Sequence, residues 1–144
     1  MLQQISKFAL LILVIAILYL LITGNIFSAS PFVIGAQVLA IGISVWARRS
    51  FKSGGFNIHA EPKGEQLIVS GPYKYIRHPM YTSALLLIWS SVLSHLSPLE
   101  VGIGVIVTTS AFVRIAVEEQ FLRARFADYE NYSYTTSRII PFLI

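Results

Sequence analysis

Tyr81-Thr82-Ser83-Ala84-Leu85-Leu86-Leu87-Ile88-Trp89-Ser90-Ser91-Val92-Leu93-Ser94-His95-Leu96 is an apolar run without a formal charge, and after a Ser97-Pro98 step a second run extends from Leu99 to Val117. A helix that crosses a bilayer wants about 20 apolar residues, within a range of roughly 17–25. Ser97-Pro98 leaves room only for a tight turn. The spacing therefore predicts an antiparallel hairpin of two membrane helices over 81–96 and 99–117.

Two more apolar stretches lie upstream, over 5–23 and 32–46, separated by the turn-forming pairs Gly24-Asn25 and Ser30-Pro31. The 32–46 and 81–96 stretches are short for a full crossing, and flanking residues extend them. The fold expected is an all-α integral membrane protein: four transmembrane helices in one domain covering 1–144, ending in a helical hairpin. Composition agrees. Hydrophobic residues make up 55% of the chain and charged ones 12%, against about 25% charge in soluble domains. Phe8 to Ile22 behind Lys7 also has the outline of a secretory signal, with Ser28-Ala29-Ser30 as the cleavage site. Pro31 directly after the cut would hinder cleavage, so the segment reads as a retained span. Cysteine is absent, which excludes disulfides, thiolate metal sites and a cysteine nucleophile.

The 11 basic residues set the orientation. Lys7 precedes the first span. Arg48, Arg49, Lys52, Lys63, Lys74 and Arg77 lie between the second and third, and Arg114, Arg123, Arg125 and Arg138 lie at or beyond the end of the fourth. Basic residues stay on the cytoplasmic side, so both termini and the 47–80 loop are expected there. The 118–144 tail falls on the same face, and the chemistry is expected between the two.

The densest cluster is Gly71-Pro72-Tyr73-Lys74-Tyr75-Ile76-Arg77-His78-Pro79-Met80-Tyr81. Pro79 suits the first position of a helix and holds His78 extended just outside it. The helix start is then expected to offer free N–H groups to an anion such as a ligand carboxylate. Tyr73, Tyr75 and Tyr81 add aromatic faces, which attract sulfonium and ammonium cations. The plain alternative is an interfacial aromatic belt with basic anchors. A second cluster closes the fourth span. Arg114 and Glu118 share a helix face, and ionisable groups at membrane depth usually face a polar cavity; a snorkelling arginine is the plain alternative. Glu119, beside Gln120, is expected to be part of a solvated helix end. His59, His78 and His95 lack zinc-site spacing. Gly54-Gly55 is not a phosphate loop, no nucleophile elbow is present, and the basic residues form no nucleic-acid module. Anionic lipid headgroups remain suitable partners for them.

Together these residues carry a resemblance. Leu67-Ile68-Val69-Ser70-Gly71-Pro72-Tyr73, then Arg77-His78-Pro79-Met80-Tyr81, then Glu118-Glu119 with Leu122, Phe126, Tyr129, Tyr132, Arg138 and Pro141, resemble the isoprenylcysteine carboxyl methyltransferase family and its prokaryotic relatives. That superfamily also includes phospholipid N-methyltransferases. The resemblance covers 46–142. It implies S-adenosylmethionine as cofactor, no metal, and a membrane-associated or lipophilic acceptor bearing a carboxyl, thiol, amine or lipid headgroup. It places Leu67, Ile68, Tyr73, His78, Pro79, Met80, Tyr81 and Glu118 around the cofactor. Arg114 would face the acceptor, and Arg77 joins it as a catalytic residue. The family often has glycine where Ser83 stands, and its Phe-Gly pair is Phe126-Ala127 here. The residues alone admit two other readings. Membrane reductases of the sterol or enone type share an Arg-His…Tyr motif, but typically with Asn before the tyrosine and an acid after it, where this chain has Met80 and Thr82. A non-enzymatic membrane scaffold would need no convergence of Arg77, His78, Arg114 and Glu118.

Overall fold

The computed structural model describes residues 2–51 and 66–141. Lys52, Gly54-Gly55, His59 and Lys63 of the loop, and Phe142 at the end of the motif region, lie outside the described residues. Helix α1 spans Leu2–Ile22, α2 Pro31–Arg49, α3 Pro79–Ser94, α4 Pro98–Arg125 and α5 Tyr129–Thr135, and a 3-10 turn over Gly71–Lys74 precedes α3. No strand forms among the described residues; the one β contact is an isolated parallel bridge between Ile76 and Ser137.

Proline sets three helix starts. Pro31, Pro79 and Pro98 each occupy the first turn, where a missing N–H sacrifices no intrahelical bond. At the last of these, Ser97 Oγ accepts the Glu100 N–H at 3.2 Å, a side-chain cap. Past α1, Gly24 takes φ +74°, which turns the chain out of the helix at little steric cost.

Three helices, α1 from Gln3 to Ile22, α2 and α4, are long and apolar enough to cross a membrane. With 16 residues, α3 rises about 24 Å at ~1.5 Å per residue, short of a hydrocarbon layer of ~30 Å. The fourth apolar run was expected to end its helix at Val117; α4 instead continues to Arg125. No glycine or proline interrupts Glu118 to Arg125, and Arg123 and Arg125 complement the carbonyl end of the helix dipole. The tail therefore begins as two further turns of α4.

Among the described residues α1 packs chiefly on α4, and α2 on α3. The α1 face is Ser6, Ala9, Ala16 and Leu20, and the α4 face includes Val107, Ala111 and Arg114, all buried. Both sets recur at the three- and four-residue steps of a helix–helix seam, and their small side chains let the backbones approach. The pair is antiparallel: Arg114 reaches Ser6 at one end, and Tyr19 reaches Glu100 at the other. Helices α3 and α4 also contact in reverse order, Trp89 donating to Thr108 Oγ1 at 2.9 Å and Tyr81 meeting Glu118. Outside, Phe8, Leu11, Ile15, Phe32, Val38 and Ile106 are exposed. An apolar exterior of this extent is stable against lipid and unstable against water.

Among the described residues the charged groups collect at the two ends. At one end Asn25 Nδ2 and Tyr19 OH donate to Glu100 Oε1 at 2.6 and 3.3 Å, and Gln37 Nε2 donates to the Ile26 carbonyl at 2.6 Å. The other end holds the start of α1, the end of α2, the start of α3 and the end of α4, and with them the described basic residues.

Candidate active site

The site grows from the way α3 begins. Gly71 opens the 3-10 turn at φ +61°, and a Cβ there would run into Ser50 Oγ and press on Trp46 Nε1. The turn thus sits directly on the end of α2, where Phe51 meets Tyr73 edge-on at 5.7 Å. The chain then passes Ile76, bends at Arg77 and enters α3 at Pro79; His78 takes φ −126°, ψ 58° rather than the extended backbone expected before a proline. Most first-turn donors are already used: the Tyr81 N–H goes to the His78 carbonyl at 3.0 Å and the His78 N–H to the Arg138 carbonyl at 3.0 Å. The expected row of free N–H groups at this helix start is therefore not formed. Pro79 has no N–H, the His78 N–H donates to the Arg138 carbonyl and the Tyr81 N–H to the His78 carbonyl.

Side chains from α3 and α4 meet one turn inside this end. Tyr81 OH donates to Glu118 Oε1 at 2.6 Å and accepts from Arg114 Nε at 2.6 Å. Arg114 Nη2 reaches the same Glu118 oxygen at 3.2 Å, and Nη1 donates to the Ser6 carbonyl of α1 at 2.9 Å. The i,i+4 pairing of Arg114 with Glu118 is as the spacing predicts. The guanidinium is buried and engaged along its whole fork. Glu118 is more open than Arg114, its side chain 19% exposed against 5%.

His78 stands between the two acidic residues. Its Nδ1 lies 3.6 Å from Glu118 Oε2 and its Nε2 3.5 Å from Glu119 Oε1, ion-pair distances rather than aligned hydrogen bonds. Burial disfavours the imidazolium, but the two carboxylates outweigh it and raise the His78 pKa above its ordinary value. The phenols of Tyr73 and Tyr129 are pushed up by burial and by neighbouring acidic groups, and Tyr132 is pushed up to about 12 by burial. All three phenols stay protonated at physiological pH; Tyr132 OH donates to the Tyr73 carbonyl, and Tyr129 OH is buried without a hydrogen-bond partner among the described residues.

Glu119 departs from expectation. In place of a solvated helix end, it is 2% exposed and ringed by cations. Arg77 Nε lies at 3.0 Å, Arg138 Nη2 at 3.2 Å and Arg123 Nη2 at 3.9 Å. A carboxylate this deep persists only with such partners. Arg77 also donates from Nη1 to the carbonyls of Ser133, at 2.6 Å, and Thr136, so it ties α5 to Glu119. No local spacing signals this meeting: Arg77 and Arg138 reach Glu119 from 42 and 19 residues away in the chain.

The remaining expected residues divide. Pro79 is buried at the helix start and Met80 is half-buried, its carbonyl accepting from Ser83 Oγ at 2.9 Å. The residue in place of glycine, Ser83, therefore turns its hydroxyl back onto its own helix. Tyr73 lies near the cluster, and its carbonyl accepts from Tyr132 OH at 2.7 Å. Leu67 and Ile68 are half-buried in irregular chain leading to Gly71, outside the hydrogen-bonded cluster.

Three helices long and apolar enough to cross a bilayer suit an integral membrane protein. The chain matches the phospholipid methyltransferase family over residues 26–129, more than half of its length, and it belongs to that family. No curated protein and no solved structure matches it.

Proposed function

We propose that the protein transfers a methyl group from S-adenosylmethionine to a lipid-type acceptor at the end of the bundle where α3 begins and α4 ends. The observation that carries this reading is the convergence of Tyr81, Arg114, Glu118 and His78, from two different helices, in a chain of the phospholipid methyltransferase family. The same convergence counts against a scaffold.

The residues fit the cofactor. Glu118 is a partly exposed carboxylate suited to a ligand's ammonium or hydroxyl groups, and Tyr75, 47% exposed, offers an aromatic face for a cation. When bound, S-adenosylmethionine supplies a sulfonium methyl group open to in-line displacement by an acceptor's lone pair. The chain's task is then alignment and exclusion of water more than acid–base work. In this reading Tyr73, His78, Pro79, Met80, Tyr81 and Glu118 hold the cofactor, with Leu67 and Ile68 as its apolar approach. Arg114 was expected to orient the acceptor; with its fork engaged, it acts first on Tyr81 and Glu118, fixing where they point. Arg77 becomes a positioning residue, since its contacts are Glu119 and the α5 carbonyls. The isoprenylcysteine-type resemblance concerns the acceptor, and a lipid-type acceptor suits the apolar flanks of the site.

The proposal includes a single membrane domain over 1–144 in which α3 crosses as a fourth span. It forms a transmembrane hairpin with α4, and both termini and the cofactor site face the cytoplasm. Isothermal titration with S-adenosylmethionine and with NADPH tests the cofactor, and mass spectrometry of lipids after incubation with labelled cofactor tests the acceptor. The expected result is binding of the former alone, weakened in His78→Ala, Tyr81→Ala and Glu118→Ala. Binding of NADPH alone, or unchanged affinity across the three variants, would overturn the assignment.

A further inference from the structure

Glu118 and Glu119 are adjacent in sequence and opposite in circumstance. Glu118 is partly open and bonded within the α3–α4 pair. Glu119 is closed off, and its cations come from three places: Arg77 from the segment before α3, Arg123 from its own helix and Arg138 from the C-terminal segment.

The backbone of that C-terminal segment is laid along the site-bearing residues. The Arg77 N–H donates to the Ser137 carbonyl at 2.8 Å, the His78 N–H to the Arg138 carbonyl at 3.0 Å, and the Ser137 N–H to the Tyr75 carbonyl at 3.1 Å. Thr82 Oγ1 donates to the Ile139 carbonyl at 2.7 Å, and Arg77 Nη1 holds Ser133 and Thr136. Residues 133–139 thus form the wall behind His78.

We infer that Glu119 is a positioning residue: it clamps residues 133–139 against the His78 side of the site and thereby sets how tightly S-adenosylmethionine is held. This rests on the methyl-transfer reading and deepens it. One carboxylate faces three guanidiniums and an imidazole. Replacing it by the isosteric amide keeps the volume and removes the neutralising charge, so the cations repel one another. The cluster yields at its outermost member, Arg138, whose side chain is 46% exposed. The expected consequence is local release of the segment, with the α1–α4 seam intact. Linkage adds a reciprocal requirement: a segment that tightens cofactor binding must itself be tightened by the cofactor, by the same factor.

The test is amide hydrogen exchange and cofactor titration on the full chain in lipid nanodiscs, for wild type, Glu119→Gln, Arg138→Gln and Arg138→Lys. In wild type, S-adenosylmethionine should slow exchange in residues 133–141. Both Gln variants should speed it there while leaving α1 and the first half of α4 unchanged. They should weaken cofactor binding roughly 5- to 150-fold, the usual span for coupled sites. They should raise KM for the cofactor with kcat at saturation nearly intact, and Arg138→Lys should recover part of the loss. Segment release without a change in affinity, or unchanged exchange in both Gln variants, overturns the inference. Should Glu119→Gln fail to fold, Arg138→Gln decides alone. Wild type that binds no S-adenosylmethionine defeats the functional reading instead, and is recognised as such before any variant is measured.

Discussion

Burial alone pushes an imidazole toward its neutral form, and His78 is 5% exposed. Glu118 and Glu119 reverse that preference, so the folded-state value lies above the ordinary 6.5. A raised histidine stabilises the fold in full below its unfolded value, and the contribution fades as pH rises through the folded one. The gap in unfolding temperature between wild type and His78→Asn should therefore be widest below the ordinary histidine value of 6.5 and shrink as pH rises above it; a gap that widens with pH would mean that His78 is held neutral. Tyr81 offers a second test. Its hydroxyl is both donor to Glu118 and acceptor from Arg114, so Tyr81→Phe leaves Arg114 Nε without its acceptor. The expected loss is about 1–3 kcal/mol in denaturant unfolding, and a neutral result would show that water replaces the hydroxyl freely. At this scale the Arg114–Glu118 pair was legible, because four residues on a helix is a local spacing. The burial of Glu119 was not, because Arg77 and Arg138 reach it from 42 and 19 residues away, and no local pattern announces such a meeting.

Helix starts were the most readable elements. Ser30-Pro31, His78-Pro79 and Ser97-Pro98 each mark the first residue of a helix to within a position or two of the apolar run, since proline's ring acts on its immediate neighbours. The far end of α4 and the whole of α5 were hidden. Glu118 to Arg125 is polar enough to resemble a tail, and its helix is sustained by ion pairs with distant segments; α5 is a short polar helix anchored by Arg77. Gly71 shows how an element can hang on one residue. With φ +61° and Ser50 against its α-hydrogen side, Gly71→Ala combines backbone strain of order 1–3 kcal/mol with a collision that the end of α2 must absorb. The variant is expected to unfold several degrees earlier and to lose the Phe51–Tyr73 ring contact. A crystal structure of Gly71→Ala with the turn unmoved and stability unchanged would contradict this account.

For the whole molecule, the gathering of basic residues at one end gives a test of orientation. Reporter fusions at residue 27 and at residue 97, in the two connections without lysine or arginine, should report the side opposite the cytoplasm, as the basic-inside tendency requires. A cytoplasmic signal from residue 97 alone would mean that α3, the shortest of the apolar helices, does not cross. The pairing of α1 with α4 also bears on how the molecule is made. The partner of the first helix is the last long one, and Arg114 follows Ser6 by 108 residues. At a synthesis rate of roughly 5–20 residues per second, α1 spends on the order of 5–20 s in the bilayer before Arg114 exists to reach the Ser6 carbonyl. During that interval Ser6, Ala9 and Ala16 present a narrow groove that another chain's small-residue helix could fill. Assembly therefore depends on timing, and a pause in translation between α2 and α4 would prolong the window in which the wrong neighbour can dock.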